Sequence, residues 1–329
     1  VSTLSATACA HPNIALAKYW GKREGEGNVP AVPSLSVTLA GMTTTTTVTF
    51  DGALASDELS LNGASTDGRP LARASALLDV VRRDAGIDAR ARIVSANDFP
   101  TASGLASSAS GFAALALAAV RAAGLDWSVT RVSDLARRSS ASAGRSLFGG
   151  FVELDGGDGA TGTSASVASP SALDLKVLVC VTTEAAKATS STDGMLLTQR
   201  VSPYYPAWLQ EAPRLCAKIR AAILAGDFST VGEYAEKSAL AMHACAMAAG
   251  IVYVSGATLA ALAEVRAMRA DGLQTYGTID AGPHLKCLVR GSDAAAAKER
   301  LARVPGVLRI LETSPGDGAR ILPLAEASR

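Results

Sequence analysis

Five short stretches carry side chains that could do chemistry on an anionic small molecule. The first, "HPNIALAKYWGKR" (11–23), crowds Lys18, Tyr19, Lys22 and Arg23 around an aromatic turn closed by Gly21. It can be read as a solvated basic turn, yet ammonium groups beside Tyr19 and Trp20 also suit a phosphorylated ligand. The second, "PTASGLASSASGFAALA" (100–116), is almost entirely Gly, Ser and Ala. Such residues permit close packing of a helix on a sheet. They equally permit an anion cradle, because a helix start offers unpaired N–H groups and the positive end of its dipole. The third, "SSASAGRS" (139–146), sets hydroxyl donors beside Arg145 just ahead of the apolar "SLFGGFVEL". The fourth, "KATSSTDGM" (187–195), repeats the combination of Lys and hydroxyls, with Ser191 or Thr192 also able to cap a helix. The fifth, "TIDAGPHLK" (278–286), puts Asp280 in a tight Gly-Pro turn after a strand, where a carboxylate can form the turn or handle a proton.

Other chemistries lack their signatures. The small-residue stretch has no following Gly-Lys-Ser/Thr and does not fit G-x-G-x-x-G, so it is neither a P-loop nor a dinucleotide fingerprint. None of the three histidines has a partner at metal-ligand spacing; His243 lies in a helical run and reads as packed, while His11 and His284 lie in turns. There is no Ser-His-Asp signature, no H-E-x-x-H and no calcium loop, so any metal is expected to arrive with a nucleotide.

The elements that must position these residues follow from periodicity. "RARIVS" reads as a strand leading into Pro100 and Gly104, and the apolar run from Phe112 to Val120 as a helix beginning near Ala106. "SLSVTL" and the Thr-rich "TTTTTVTF" (43–50) read as strands joined about Gly41 in an antiparallel hairpin, the threonines lying on a half-solvated face. Residues 71–83 carry helical spacing, and 130–154 run from a helix through the serine-rich turn into a strand. "LKVLVCVTT" (175–183) is an apolar strand. Beyond it come helices near 207–225, 229–249 and 256–270, then two strand regions flanking the helix "DAAAAKERLARV". Strands and helices do not alternate regularly, which favours α+β over a doubly wound sheet, with a soft boundary near residue 185.

The 329 residues suffice for two domains, with 48% hydrophobic and 19% charged residues. A net charge of +1 supplies no long-range field for nucleic acid or an anionic membrane, so an anion must be bound locally. The five cysteines are scattered without a C-x-x-C pair and read as buried thiols of a reducing compartment. The N-terminal stretch has no basic region followed by a long apolar core, and no segment approaches 18 uninterrupted apolar residues; a cytoplasmic protein is expected.

Taken together, "HPNIALAKYWGKR", "SLSVTL", "DFPTASGLASSASGFAALA", "RRSSASAGRSLFGGFVEL", "SSTDGM", "MHA" and "DAGP" stand in the order found in one family. From about residue 8 to 320 the chain resembles the diphosphomevalonate decarboxylases of the GHMP small-molecule kinase superfamily. The resemblance implies an α+β GHMP kinase fold. An N-terminal ribosomal-protein-S5-like α/β domain (1–185) that binds ATP would adjoin a C-terminal ferredoxin-like α+β domain (186–329), with the active site in the cleft between them. It implies ATP-dependent decarboxylation of mevalonate 5-diphosphate to isopentenyl diphosphate, ADP, phosphate and CO2, with Mg2+ as the metal.

By motif, Asp280 resembles the catalytic carboxylate and Arg145 the guanidinium on the substrate's acidic groups. Lys187 resembles the γ-phosphate lysine, and Ser108 the hydroxyl near the β/γ-phosphates and Mg2+. Tyr19, Lys22, Ser140 and Ser142 resemble the substrate's phosphate contacts, and Ser191 the hydroxyl that helps close the site. Gly104, Ala106 and Ser107 share the phosphate-binding stretch with Ser108, while Ser95 and Asn97 fall where nucleotide contacts are expected. The chain has D-A-G-P-H for the usual D-A-G-P-N, Ser139-Ser140-Ala141-Ser142-Ala143 for G-S-G-S-A, "AAGIVYVSG" for a P-P-F element, and Thr192 where some bacterial relatives have Arg. A phosphomevalonate decarboxylase, a mevalonate kinase without decarboxylation, and a non-catalytic nucleotide- or metabolite-binding protein are the alternatives. Keeping both Asp280 and Arg145 favours the decarboxylase. A homodimer is expected, with no nucleic-acid or membrane partner.

Overall fold

The computed structural model describes residues 4–25, 27–99, 107–185 and 189–323, and places its strands in three sheets. The first sheet contains β1 (Leu4–Ala10), β4 (Thr44–Asp51), β5 (Glu58–Leu61), β6 (Ala64–Ser65), β7 (Arg90–Asn97) and β14 (Arg320–Leu322), in the order β14-β1-β4-β7-β5-β6. Alternation along β4 buries Thr44, Thr46, Val48 and Phe50, as a half-solvated strand requires. The outward threonines pair across the strands, with Thr7 and Thr47 hydroxyls 2.8 Å apart.

Three helices cover the inner face: α1 (Arg69–Ala85), α2 (Ser107–Ala122) and α3 (Val129–Ser139). The helix starting in the small-residue stretch is thus observed where its spacing predicts. Ala109, Ala113, Ala114, Ala116, Ala118 and Ala119 are all fully buried, because α2 lies between the sheet and the other two helices. Close packing therefore explains its alanines. α1 contributes Leu77, Leu78 and Val81 to the same core, each burial stabilising by about 1.5–3 kcal/mol.

The second sheet has the order β2-β3-β8-β9, from β2 (Asn13–Ala17), β3 (Ser34–Thr38), β8 (Phe151–Leu154) and β9 (Ser164–Ala168). This corrects the expected hairpin about Gly41. β3 pairs with β2 and β8, whereas β4 pairs with β1 and β7 in the first sheet. The chain leaves β3 through Leu39, whose N–H donates to the Pro12 carbonyl, and turns at Gly41 with φ of +70°. Every residue of β3 is buried, while β4 is buried on alternate residues only. Their different burial demands are met in different layers.

The third sheet, β11-β12-β10-β13, joins β10 (Leu175–Val181), β11 (Thr275–Ile279), β12 (Leu285–Arg290) and β13 (Arg309–Thr313). The accompanying helices are α4 (Ser191–Val201), α5 (Tyr205–Ala225), α6 (Phe228–Met247), α7 (Gly256–Ala270) and α8 (Ala294–Ala302). One core packs Leu178, Cys287 and Val289 against Val265, Met268 and Leu301 of α7 and α8. Another joins Leu35, Val37 and Phe151 of the second sheet to Val177 and Val179, with Ile219, Ile223 and Phe228 between. All five cysteines are buried, and none is in a disulfide.

A division at 185 falls after β10, yet both partners of β10 lie beyond it. Conversely β14, near the end of the described chain, pairs with β1. The path back to β14 is clamped between residues 38–40 and 147–150. Ala40 N–H donates to Ser314, Gly316 N–H to Thr38, and Gly150 N–H to Gly316, at 2.8–2.9 Å. A Cβ on Gly149 would lie 2.7 Å from the Gly318 nitrogen, so glycine is needed for this approach.

Candidate active site

A cavity of about 530 Å3 opens between β2 of the second sheet, the turn that joins β11 to β12 in the third, and the first turns of α1 and α2. Asp280 enters it directly after β11, in a turn whose Gly282 N–H donates to the Asp280 carbonyl at 2.7 Å. The β11–β12 register pairs Thr278 with Lys286, which brings Lys286 beside Asp280. The Lys286 ammonium stands 3.0 Å from Oδ2, and Lys18 donates to Oδ1 at 2.6 Å. Lys18 follows β2 and is fixed twice more: its backbone N–H donates to Ser238 of α6 at 3.0 Å, and its Nζ to the Ala15 carbonyl at 2.8 Å.

These lysine side chains are 2% and 1% exposed, while the carboxylate between them is 28% exposed. Burial opposes ionisation of Asp280, but Lys18 and Lys286 overcome it and hold the carboxyl well below the usual carboxylate range. Burial lowers Lys18 to about 8 against the opposing pull of Asp280. The site therefore holds a carboxylate in a cationic vice.

Arg145 leaves the serine-rich turn after α3 and is buried. Its Nη1 donates to Ser34 at 2.6 Å, and Nε and Nη2 approach Asn13 Oδ1 at 3.4 and 3.3 Å. Asn13 is oriented in turn by donating to the Ser142 carbonyl and the Ser146 hydroxyl. Burial lowers Arg145 to about 10, so it remains a cation at neutral pH. Ser140 and Ser142 stand on the same turn with hydroxyls 3.4 Å apart. Tyr19 presents a buried hydroxyl that has no hydrogen-bond partner among the described residues, an open polar group on the wall of a polar cavity.

Lys22 donates to Asn28 at 2.7 Å and approaches the Thr192 hydroxyl at 3.4 Å. Arg73 of α1 donates to the Ser139 carbonyl and lies over the Phe112 ring, 4.4 Å from its centre. Ser107 and Ser108 begin α2 on the cavity wall, and no acidic residue occupies the first turn of that helix. A helix start without a carboxylate is the kind of end that attracts an anion.

Of the residues singled out by sequence, the cavity brings together Tyr19, Lys22, Ser107, Ser108, Ser140, Ser142, Arg145, Ser191 and Asp280. Gly104, Ala106 and Lys187 lie outside the described residues. Ser95 and Asn97 are on β7 and are not in the cavity lining; their side chains bond to Thr46 and Thr44 of β4. The capping role considered for Ser191 or Thr192 belongs to Ser190, whose hydroxyl accepts from Asp193 N–H at 3.1 Å. His243 is packed, as read, with its ring edge-on to Tyr253. His284 accepts from Thr182 N–H through Nδ1 at 3.2 Å.

Sequence reasoning assigned no role to Asn13, Lys286, Arg69 or Arg73, and counted Lys18 only as part of a basic turn. One signal was available for Lys286: it interrupts the apolar run "HLKCLV" of a strand buried along most of its length. For Arg69 and Arg73 the signal was their i, i+4 spacing.

Residues 10–168 match the family described as diphosphomevalonate decarboxylase-like N-terminal domain, and 177–314 match the mevalonate 5-diphosphate decarboxylase C-terminal domain. The chain is 30% identical to a diphosphomevalonate decarboxylase of Schizosaccharomyces pombe, over 98% of this chain and 94% of that protein. It is 35% identical to a phosphomevalonate decarboxylase of Haloferax volcanii, covering 85% and 86% of the two. Among solved structures, mevalonate diphosphate decarboxylase from Staphylococcus aureus superposes with a TM-score of 0.92 at 36% identity, covering 97% of this chain and 98% of that one. The Enterococcus faecalis enzyme, in a study of ATP binding mediated by mevalonate diphosphate, gives 0.89 at 37% identity, covering 98% and 99%.

Proposed function

We infer that this chain, which belongs to the diphosphomevalonate decarboxylase family, catalyses ATP-dependent decarboxylation of mevalonate 5-diphosphate to isopentenyl diphosphate, with release of ADP, phosphate and CO2. The observation that carries this reading is the Asp280 carboxylate gripped by Lys18 and Lys286 in the same cavity as Arg145 and the start of α2. Its α+β architecture is the GHMP kinase fold of those relatives.

The substrate carries a tertiary hydroxyl, which is a weak nucleophile and a poor leaving group. When bound, ATP with Mg2+ supplies the phosphoryl group that converts this hydroxyl into a departing phosphate. Ser107, Ser108 and the N-terminal amides of α2 would hold that phosphate chain, and Ser108 would offer its oxygen to Mg2+. Asp280 accepts a hydrogen bond from the hydroxyl and fixes the direction of its lone pair. Because two ammonium groups keep the carboxylate ionised, it serves as a positioned acceptor across the neutral range.

Arg145 receives the substrate carboxylate. Ser34 and Asn13 occupy part of its fork and thereby set the plane in which the remaining donors are presented. Tyr19, Lys22, Ser140 and Ser142 supply donors for the 5-diphosphate, and the Tyr19 hydroxyl acquires there a partner that it lacks among the described residues. Ser191, the first residue of α4, serves closure, and Lys187, four residues earlier in the sequence, the γ-phosphate. The enzyme is further proposed to act as a cytoplasmic homodimer, which sedimentation of the purified protein and fractionation would test.

One assay decides the reaction. Mg-ATP is supplied with mevalonate, its 5-phosphate or its 5-diphosphate, and ADP, phosphate and CO2 are measured together. Equal amounts of all three products from the 5-diphosphate are expected. ADP without CO2 would make the protein a kinase, and preference for the 5-phosphate would move it to the phosphomevalonate decarboxylases.

A further inference from the structure

The cavity carries a second group of cations besides those around Asp280. Lys22, Arg69 and Arg73 all line it, with Thr192 on the facing α4. Two of the three are already engaged. The Lys22 ammonium is directed at Asn28 and Thr192, and Arg73 spends a donor on the Ser139 carbonyl while its plane rests on Phe112. Arg69 lies one helical turn before Arg73 on α1, a spacing that puts both side chains on one face. It is exposed, and no ion pair engages it among the described residues.

The three charges act on one another. Lys22 is lowered first by burial and then by Arg73 and Arg69, and Arg73 by burial and then by Arg69. The nearby Asp193 carboxylate partly offsets this at Lys22, but it also accepts the Ser190 hydroxyl at 2.6 Å. A cluster of like charges at a cavity wall gains most from a ligand bearing more than one negative group. One phosphate is already served by Lys22 with the hydroxyls of Tyr19, Ser140 and Ser142.

We propose that Arg69 is a specificity residue for the terminal phosphate of a 5-diphosphate ester, completing with Lys22 and Arg73 a subsite in which Thr192 offers only a neutral hydroxyl. This rests on the reading of the substrate given above. A guanidinium brings a planar fork of uncommitted donors, which suits a terminal phosphate with several free oxygens.

The test compares kcat/KM for mevalonate 5-diphosphate and 5-monophosphate in wild type, Arg69→Gln and Arg69→Lys, at constant ionic strength because an exposed charge is screened by salt. Arg69→Gln should lower the diphosphate value about tenfold, mainly through KM, and the monophosphate value by less than about twofold. Arg69→Lys should recover part of the loss, and Thr192→Arg added to Arg69→Gln should restore most of it. Equal losses on both substrates, or no loss on either, would overturn the assignment. Calorimetric binding of inorganic pyrophosphate to the same proteins keeps the two readings separate. Should the wild type use only the monophosphate, the substrate reading falls. Arg69 then stands if Arg69→Gln weakens pyrophosphate about tenfold, and falls if the affinity is unchanged.

Discussion

Replacing Asp280 by Asn removes the negative charge between two ammonium groups whose side chains are 2% and 1% exposed. Leaving a buried charge unpaired costs about 3–5 kcal/mol. Two features reduce the figure here: the carboxylate itself is 28% exposed, and Lys18, already lowered to about 8, can shed its proton. A loss of about 2–3 kcal/mol at pH 7 is therefore expected. Lys18 has its folded pKa depressed below the ordinary lysine value of 10.5, so between about 8 and 10.5 the folded chain binds fewer protons than the unfolded one. Its contribution to stability then rises with pH through that window. Without Asp280 to raise it, the Lys18 pKa drops further and the window opens at lower pH. The destabilisation of Asp280→Asn should thus be largest near pH 6.5 and smaller at pH 9. Urea unfolding of both proteins at the two pH values measures it. Turnover should fall by about 10²–10⁴. Adding Lys286→Met should return about 1–2 kcal/mol by removing one of the stranded cations. A destabilisation that does not change with pH and is not relieved by Lys286→Met would refute the buried-cation account. Near-wild-type turnover would remove Asp280 from the chemistry.

Ser108→Ala should lower turnover and raise the Mg2+ concentration needed for half-maximal rate, with folding unchanged; an unaltered Mg2+ titration would detach Ser108 from the metal. Lys18 should impose a fall in kcat/KM above pH about 8, as its ammonium is lost, and Lys18→Met should abolish that limb of the profile; a limb that persists belongs to another group. Gly21→Ala should destabilise by about 1–3 kcal/mol in urea, because Gly21 has φ of +107° and a Cβ there would meet the Tyr205 hydroxyl at 2.1 Å; unchanged stability would show that Tyr205 yields freely.

The parts of the site that were legible in sequence are those where one short segment carries both the geometry and the chemistry. Asp280 announces itself by a Gly-Pro turn closing a strand, and Ser107 and Ser108 by an apolar helical run that begins where side chains become small. The serine-rich turn before Arg145 reads the same way. What stayed hidden depends on partners distant along the chain. Asn13 orients Arg145 across 132 residues, and Lys18 meets Asp280 across 262. Periodicity has no term for either. The false hairpin has the same origin: Gly41 signals a turn, but a local turn signal cannot say whether the next strand rejoins its neighbour or enters another sheet. That choice was made by β1 and β7, which hold β4, and by β2 and β8, which hold β3. Lys286 shows the opposite case, a charge whose burial could be read from the apolar residues on either side.

The return of the chain to β14 has a mechanical consequence. The backbone enters the third sheet at β10 and leaves it after β13, where residues 314–318 are threaded between residues 38–40 and 147–150. The sheet that carries Asp280 is thus tied at two points of the chain, and the core that Val177 and Val179 share with Leu35 and Val37 restrains it as well. A load on that sheet is borne by backbone at both ends and by side-chain packing between them, so Asp280 does not ride on a single hinge.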